Sequence, residues 1–338
     1  MEQPQITPDR LATVAALHGL AAPDPRTSRV LELGCGAGAN LLAIAVAAPG
    51  VEALGVDGAA ERVEAGNRAI AEVGLANVEL RRGDALALAD GRLGEFDYVL
   101  AHDGAGLAAC HAHLAANGLA YVAWAGEAIE PLAYVGDVDF GDLLGVPDAA
   151  APRGVVLCRD SWTPAAMPDP DSLRELHFAA RGEDPGAGPR HPLLGSAVAL
   201  LRAQAPGTAG FAELRAGLGA EPDALGEALL AGFRAGLVTP HAAPLRAVAP
   251  ADAARPAASP LARWQAQRGA EVTSLAGTSV HMEEPAARLL IALLDGTRDR
   301  PAIRAEFAER TGVRLSPEDL DANLARLARL FLLEGPDP

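Results

Sequence analysis

Three acids and three alternating glycines carry the most legible chemistry in this sequence. Glu32 stands two residues ahead of Gly34-Cys35-Gly36-Ala37-Gly38, Asp57 closes the next apolar run, and Asp84 follows the third. Glycines at this spacing turn a strand tightly into a helix and let a ligand approach the backbone, and the helix start offers unpaired N–H groups. A dinucleotide, a phosphate or S-adenosylmethionine (SAM) could dock on such a turn, and the acids discriminate among them. A carboxylate at Glu32 can accept from the amine of a bound amino acid, which a dinucleotide loop does not need. Asp57 is placed to bridge ribose hydroxyls, and Asp84 to accept from the exocyclic amine of adenine. His102, with Asp103 beside it, ends the fourth apolar run. It is the candidate general base for an acceptor that sheds its proton late.

Each of these residues also has a plainer reading. Asp57 and Asp84 could cap the helices that follow them, Glu32 could bond the loop backbone, and His102 could only cap its strand. Cys35 reads as a small filler, because a redox role needs an activating neighbour. His111 and His113 point different ways on a helix, so no metal is expected.

The elements that must hold these residues follow from hydrophobic runs and breakers. Thr7 caps a helix that starts at Pro8 and runs to about Leu20. Strands are expected at Val30–Leu33, Val51–Asp57, Val78–Arg81, Phe96–Ala101 and Leu119–Trp124, with helices at Asn40–Ala48 and Ala60–Val73 between the first three. Strands and helices alternating at this spacing imply right-handed crossovers and an α/β, Rossmann-like doubly wound sheet, with the ligand at the strands' carboxyl ends. Val155–Cys158 reads as a late strand of that sheet.

Composition narrows the class. The chain has 338 residues, enough for two or three domains, and half of them are hydrophobic while only 4% are aromatic. A formal charge of −16 disfavours general nucleic-acid binding. There is no lysine, which removes Schiff-base and Walker-type chemistry. The three cysteines form no C-x-x-C pair, no apolar run reaches the roughly 18 residues of a membrane span, and the start has no signal-peptide pattern. A soluble, cytoplasmic protein is expected.

Three units are expected in all, at 1–180, 191–248 and 258–338. Arg181–Arg190 reads as a linker. The second unit has helical spacing ending in Gly236-Leu237-Val238. The third has short strands at Glu271–Leu275 and Ser279–Met282, and helices at Pro285–Leu294, Pro301–Arg310 and Pro317–Leu333. Both resemble small winged helices, without the basic surface of a DNA-recognition helix. Trp124, Trp162 and Trp264 read as core or interface residues.

The motifs V-L-E-L-G-C-G-A-G, G-V-D, R-R-G-D-A and F-D-Y-V-L-A-H together resemble the class I SAM-dependent methyltransferases over about Arg29–Trp124. The segments T-P-D-R-L-A-T, A-N-V-E-L-R-R-G-D, A-S-P-L-A-R-W-Q-A and L-L-D-G-T-R-D-R resemble bacterial methyltransferases that carry a methyltransferase regulatory domain. The resemblance implies SAM as cofactor and S-adenosylhomocysteine (SAH) as product. It implies cofactor contacts from Glu32, Gly34, Cys35, Gly36, Gly38, Asp57, Gly58, Asp84, Ala85 and His102, with His102 and Asp103 in catalysis. A small-molecule or peptide acceptor is expected, with no nucleic acid or membrane partner and with self-association through the C-terminal units. Members of that family have an aromatic-rich segment after the fourth strand and a longer insert after the fifth. Here His102–Gly106 passes quickly to Leu107–Leu114, which has no aromatic residue. That departure keeps a second reading open, a non-catalytic SAM-binding scaffold, with a winged-helix DNA regulator third.

Overall fold

A computed structural model describes residues 7–17, 22–83, 96–101, 120–121, 155–156, 170–181, 191–245 and 253–335. Strands β1 (Arg29–Leu33), β2 (Glu52–Asp57), β3 (Val78–Arg82), β4 (Tyr98–Ala101), β5 (Ala120–Tyr121) and β6 (Val155–Val156) form one sheet in the order β3-β2-β1-β4-β6-β5. Its pairings are parallel, with Val30 opposite Ala53 on one side and Tyr98 on the other. The late strand expected near residue 155 belongs to this sheet and lies between β4 and β5. Chain order reverses across β1 and β4, so the ligand crevice opens at the carboxyl end of β1.

Helices α1 (Pro8–Leu17), α2 (Ala39–Ala47) and α3 (Ala60–Val73) pack on this sheet. The Thr7 hydroxyl caps α1, accepting from the Arg10 N–H at 3.3 Å. In α3, Val63, Gly66 and Ile70 recur on one buried face, the stripe of an amphipathic helix. Helix α2 differs, because every residue from Leu41 to Val46 is buried. A helix apolar all round must be covered on its outer side as well. The edge strand β3 is closed by a side chain: Asn67 donates to the Leu80 carbonyl at 2.9 Å and accepts from the Leu80 N–H at 3.2 Å.

The second unit is built on a three-stranded antiparallel sheet of β7 (His177–Ala180), β8 (Ala209–Gly210) and β9 (Val238–His241), with β7 in the middle. The stretch assigned from sequence to the first unit thus ends in a strand whose hydrogen-bond partners lie in the second. Helices α4 (Leu194–Gln204), α5 (Phe211–Leu218) and α6 (Pro222–Arg234) complete this core, to which α1 contributes Leu17. Asp9 near the start of α1 fastens the two units, pairing with His241 Nδ1 at 2.8 Å and accepting from the Ala243 N–H at 3.0 Å.

The third unit holds α7 (Pro260–Ala266), the antiparallel pair β10 (Glu271–Thr273) and β11 (Ser279–His281), and helices α8 (Pro285–Leu293), α9 (Arg300–Thr311) and α10 (Pro317–Arg329). Caps set these helices. Ser259 accepts from the Ala262 N–H, Asp299 from the Ala302 N–H, and Ser316 with Asp319 forms a capping box. Helix α7 is what covers the first unit, since its Leu261 lies in the same core as Leu41 and Ile44. No helix among the described residues is long and apolar enough to cross a membrane.

Candidate functional site

The loop between β1 and α2 is shaped by backbone conformations that glycine alone accepts readily. At Gly36 φ is 60°, and no heavy atom lies within 4 Å of where a Cβ would sit, so conformation rather than crowding demands the residue. At Gly38 both demands hold, since φ is 76° and a Cβ would stand 2.8 Å from Leu80 Cδ1. The Gly34 and Cys35 N–H groups both donate to the Val56 carbonyl, at 2.8 and 3.2 Å. The loop is therefore anchored on the last turn of backbone before Asp57.

Asp57 is the keystone of this anchor and is only 4% exposed. Its Oδ2 accepts from the Gly36 N–H at 2.9 Å, and its Oδ1 accepts from the Ala59 N–H at 2.8 Å. The Arg62 guanidinium lies 3.1 Å from the same Oδ1. Three donors justify a buried carboxylate, and the Ala59 contact is a turn bond just ahead of α3, whose N-cap is Ala59 itself with no side-chain cap. Asp57 serves the fold and faces the loop at once. Gly58, next in line, is exposed.

Glu32 is 1% exposed at the end of β1, and Asn40 on the first turn of α2 donates to its Oε2 at 3.3 Å. Two buried carboxylates thus stand at the ends of neighbouring strands on either side of an open glycine turn. Cys35 is buried between them, its thiol pushed up to about 12 by burial first and then by the charges of Glu32 and Asp57. That shift keeps the thiol protonated in its buried place beneath the loop.

Three residues of the site escaped sequence reasoning. A Cβ at Gly55 would fall 2.7 Å from Cys35 Sγ and 2.8 Å from Leu41 Cδ1, so β2 needs glycine beneath the loop. A Cβ at Gly66 would fall 2.5 Å from the Ala37 carbonyl, so α3 can lie against the loop only without one. A glycine inside an otherwise regular helix costs about 1 kcal/mol, and that cost is the signal that could have revealed Gly66. Asn40 was read only as a helix start. Asp84, Ala85, His102 and Asp103 lie outside the described residues, as do His111, His113, Trp124 and Trp162.

The residues present fit SAM: open space beside Gly34 and Gly36, flanked by the two buried acids Glu32 and Asp57. Comparison with known proteins agrees. Residues 30–120 match the family model of a methyltransferase domain, and residues 254–316 match that of the PKMT C-terminal winged helix domain. Uncharacterized protein RP789 of Rickettsia prowazekii is 32% identical over 127 residues, covering 35% of this chain and 23% of the relative. Uncharacterized protein RP028 of the same organism is 38% identical over 95 residues, covering 28% and 38%. The matched segments thus span well under half of either relative. PKMT2 from Rickettsia typhi shares the fold over 99% of this chain and 100% of its own, with a TM-score of 0.68 and 14% identity. Its complex with AdoHcy gives a TM-score of 0.63 at 16% identity, covering 98% of each chain. Residues 30–120 thus match a methyltransferase domain and residues 254–316 a PKMT C-terminal winged helix domain, on a fold that 99% of the chain shares with PKMT2.

Proposed function

We propose that the protein transfers the methyl group of SAM to a small-molecule or peptide acceptor by in-line displacement. The observation that carries this reading is the pair of buried carboxylates, Glu32 and Asp57, flanking the open glycine turn. When bound, SAM supplies an electrophilic methyl: the acceptor's lone pair forms the new bond to carbon, the carbon–sulfur pair stays on sulfur, and SAH departs. The chain's own part is to bind, orient and exclude water. Glu32, held by Asn40, accepts from the amino group of the methionine moiety. Asp57 presents Oδ2 to the ribose hydroxyls, Gly34 and Gly36 admit the cofactor against the backbone, and Asp84 takes the adenine amine. His102, beside Asp103, receives the acceptor's proton where one must leave. The two C-terminal units cover the site, engage the acceptor or pair two copies of the chain.

Methyl-labelled SAM incubated with fractionated bacterial extract and with a peptide library tests the reading. Time-dependent label in one class of molecule is expected. Tight SAM binding with no transfer to any fraction overturns it in favour of a SAM-binding scaffold, the reading that the aromatic-free Leu107–Leu114 stretch favours. Absence of SAM binding overturns both.

A further inference from the structure

We propose that Arg62 sets how strongly the site prefers SAM over SAH, and hence how strongly the product inhibits. The inference rests on the SAM reading above. SAM carries a fixed positive sulfonium where SAH carries a neutral thioether, so the two differ by one unit of charge. Affinity for the pair is therefore a direct report of the potential in the site. Glu32 and Asp57, both buried, make that potential negative. The Arg62 guanidinium opposes it, 3.1 Å from Asp57 Oδ1, with its own side chain 62% exposed. Its field reaches the interior of the loop. The Cys35 thiol, pushed up by burial, Glu32 and Asp57 in that order, is pulled back down by Arg62. Arg62 thus offsets part of the attraction the acids exert on a cation while leaving the neutral product untouched. Arg82 supplies the comparison: it sits on β3 at the position paired with Asp57 and is exposed, and among the described residues no ion pair joins it to Asp57.

Calorimetric Kd values for SAM and for SAH, taken on the full chain and on Arg62→Gln, Arg62→Lys and Arg82→Gln, test this. In Arg62→Gln the ratio of the SAH Kd to the SAM Kd is expected to rise about three- to ten-fold, the scale of one partly screened charge. Arg62→Lys, which keeps the charge, and Arg82→Gln should stay within about two-fold of the parent ratio. An unchanged ratio in Arg62→Gln overturns the inference, as does an equal shift in Arg82→Gln. Loss of both ligands by Arg62→Gln also overturns it, reducing Arg62 to a support for Asp57. If the parent chain binds neither ligand, the SAM reading itself falls.

Discussion

Asp57 shows how one buried side chain ties a loop to a helix, and on the proposed reading it serves the cofactor as well. Its carboxylate satisfies the Gly36 and Ala59 N–H groups and pairs with Arg62. Replacing it by alanine strands those donors and, on the proposed reading, removes the ribose acceptor together. Asp57→Ala is expected to weaken SAM binding by more than about 100-fold and to lower unfolding free energy by about 2–3 kcal/mol. Calorimetry and urea unfolding check the two effects separately, and SAM affinity equal to the parent's would contradict the assignment. Cys35 makes a pH prediction. Its folded value, about 12, lies above the ordinary thiol value, so between about 9 and about 12 the unfolded thiol ionises while the native one keeps its proton. The native state then binds more protons, and stability falls as pH rises. Urea unfolding at about pH 8 and about pH 10.5 should show a larger loss for the parent than for Cys35→Ala.

Elements decide whether these residues meet. The glycine turn works because α2 and α3 close on it from two sides, α2 through Gly38 over Leu80 and α3 through Gly66 against the Ala37 carbonyl. Helix α7 then seals the outer face. Trp264 Nε1 donates to Glu72 Oε2 on α3 at 2.8 Å, Arg268 donates to the same oxygen at 2.6 Å, and the Arg268 guanidinium stacks 4.2 Å above the Trp264 ring. This cluster joins the third unit to α3, the helix that follows Asp57. Trp264→Ala is expected to destabilise the protein by about 1–3 kcal/mol through lost packing and hydrogen bonding. A double-mutant cycle with Glu72→Ala should return a coupling of about 0.5 kcal/mol or more, while strict additivity would show that the contact is incidental.

At the scale of the whole molecule, the units share cores. Leu261 and Leu275 of the third unit are buried with α2, and Leu17 of the first helix is buried with the second unit. A chain ending at residue 252 would expose the covered side of α2 and lose about 1.5–3 kcal/mol for each buried leucine removed. Its thermal midpoint is expected to fall and its binding of a hydrophobic dye to rise. An unchanged midpoint would show that the first unit stands alone. Three arginines of the third unit pair within it: Arg298 with Glu306 at 2.6 Å and with Asp295, Arg300 with Asp321, and Arg310 with Glu306.

Local signals determined a large part of this protein. Alternating hydrophobic runs and breakers located α3 at Ala60–Val73 and the strands around the site, because a strand or amphipathic helix writes its own periodicity. Glu32, Gly34 and Asp57 stand at or next to a strand end, and Gly36 and Gly38 follow in the turn itself, so local chain geometry marks all five. Contacts between segments far apart in the chain left no such mark. That Asn40 holds Glu32, that Gly66 must lack a side chain for the Ala37 carbonyl, and that β7 pairs with strands of the next unit depend on which surfaces meet in space. The all-apolar face of α2 announced that something covers it. Only the tertiary structure identified the cover as α7, since burial records an amount of hidden surface and not the partner that hides it.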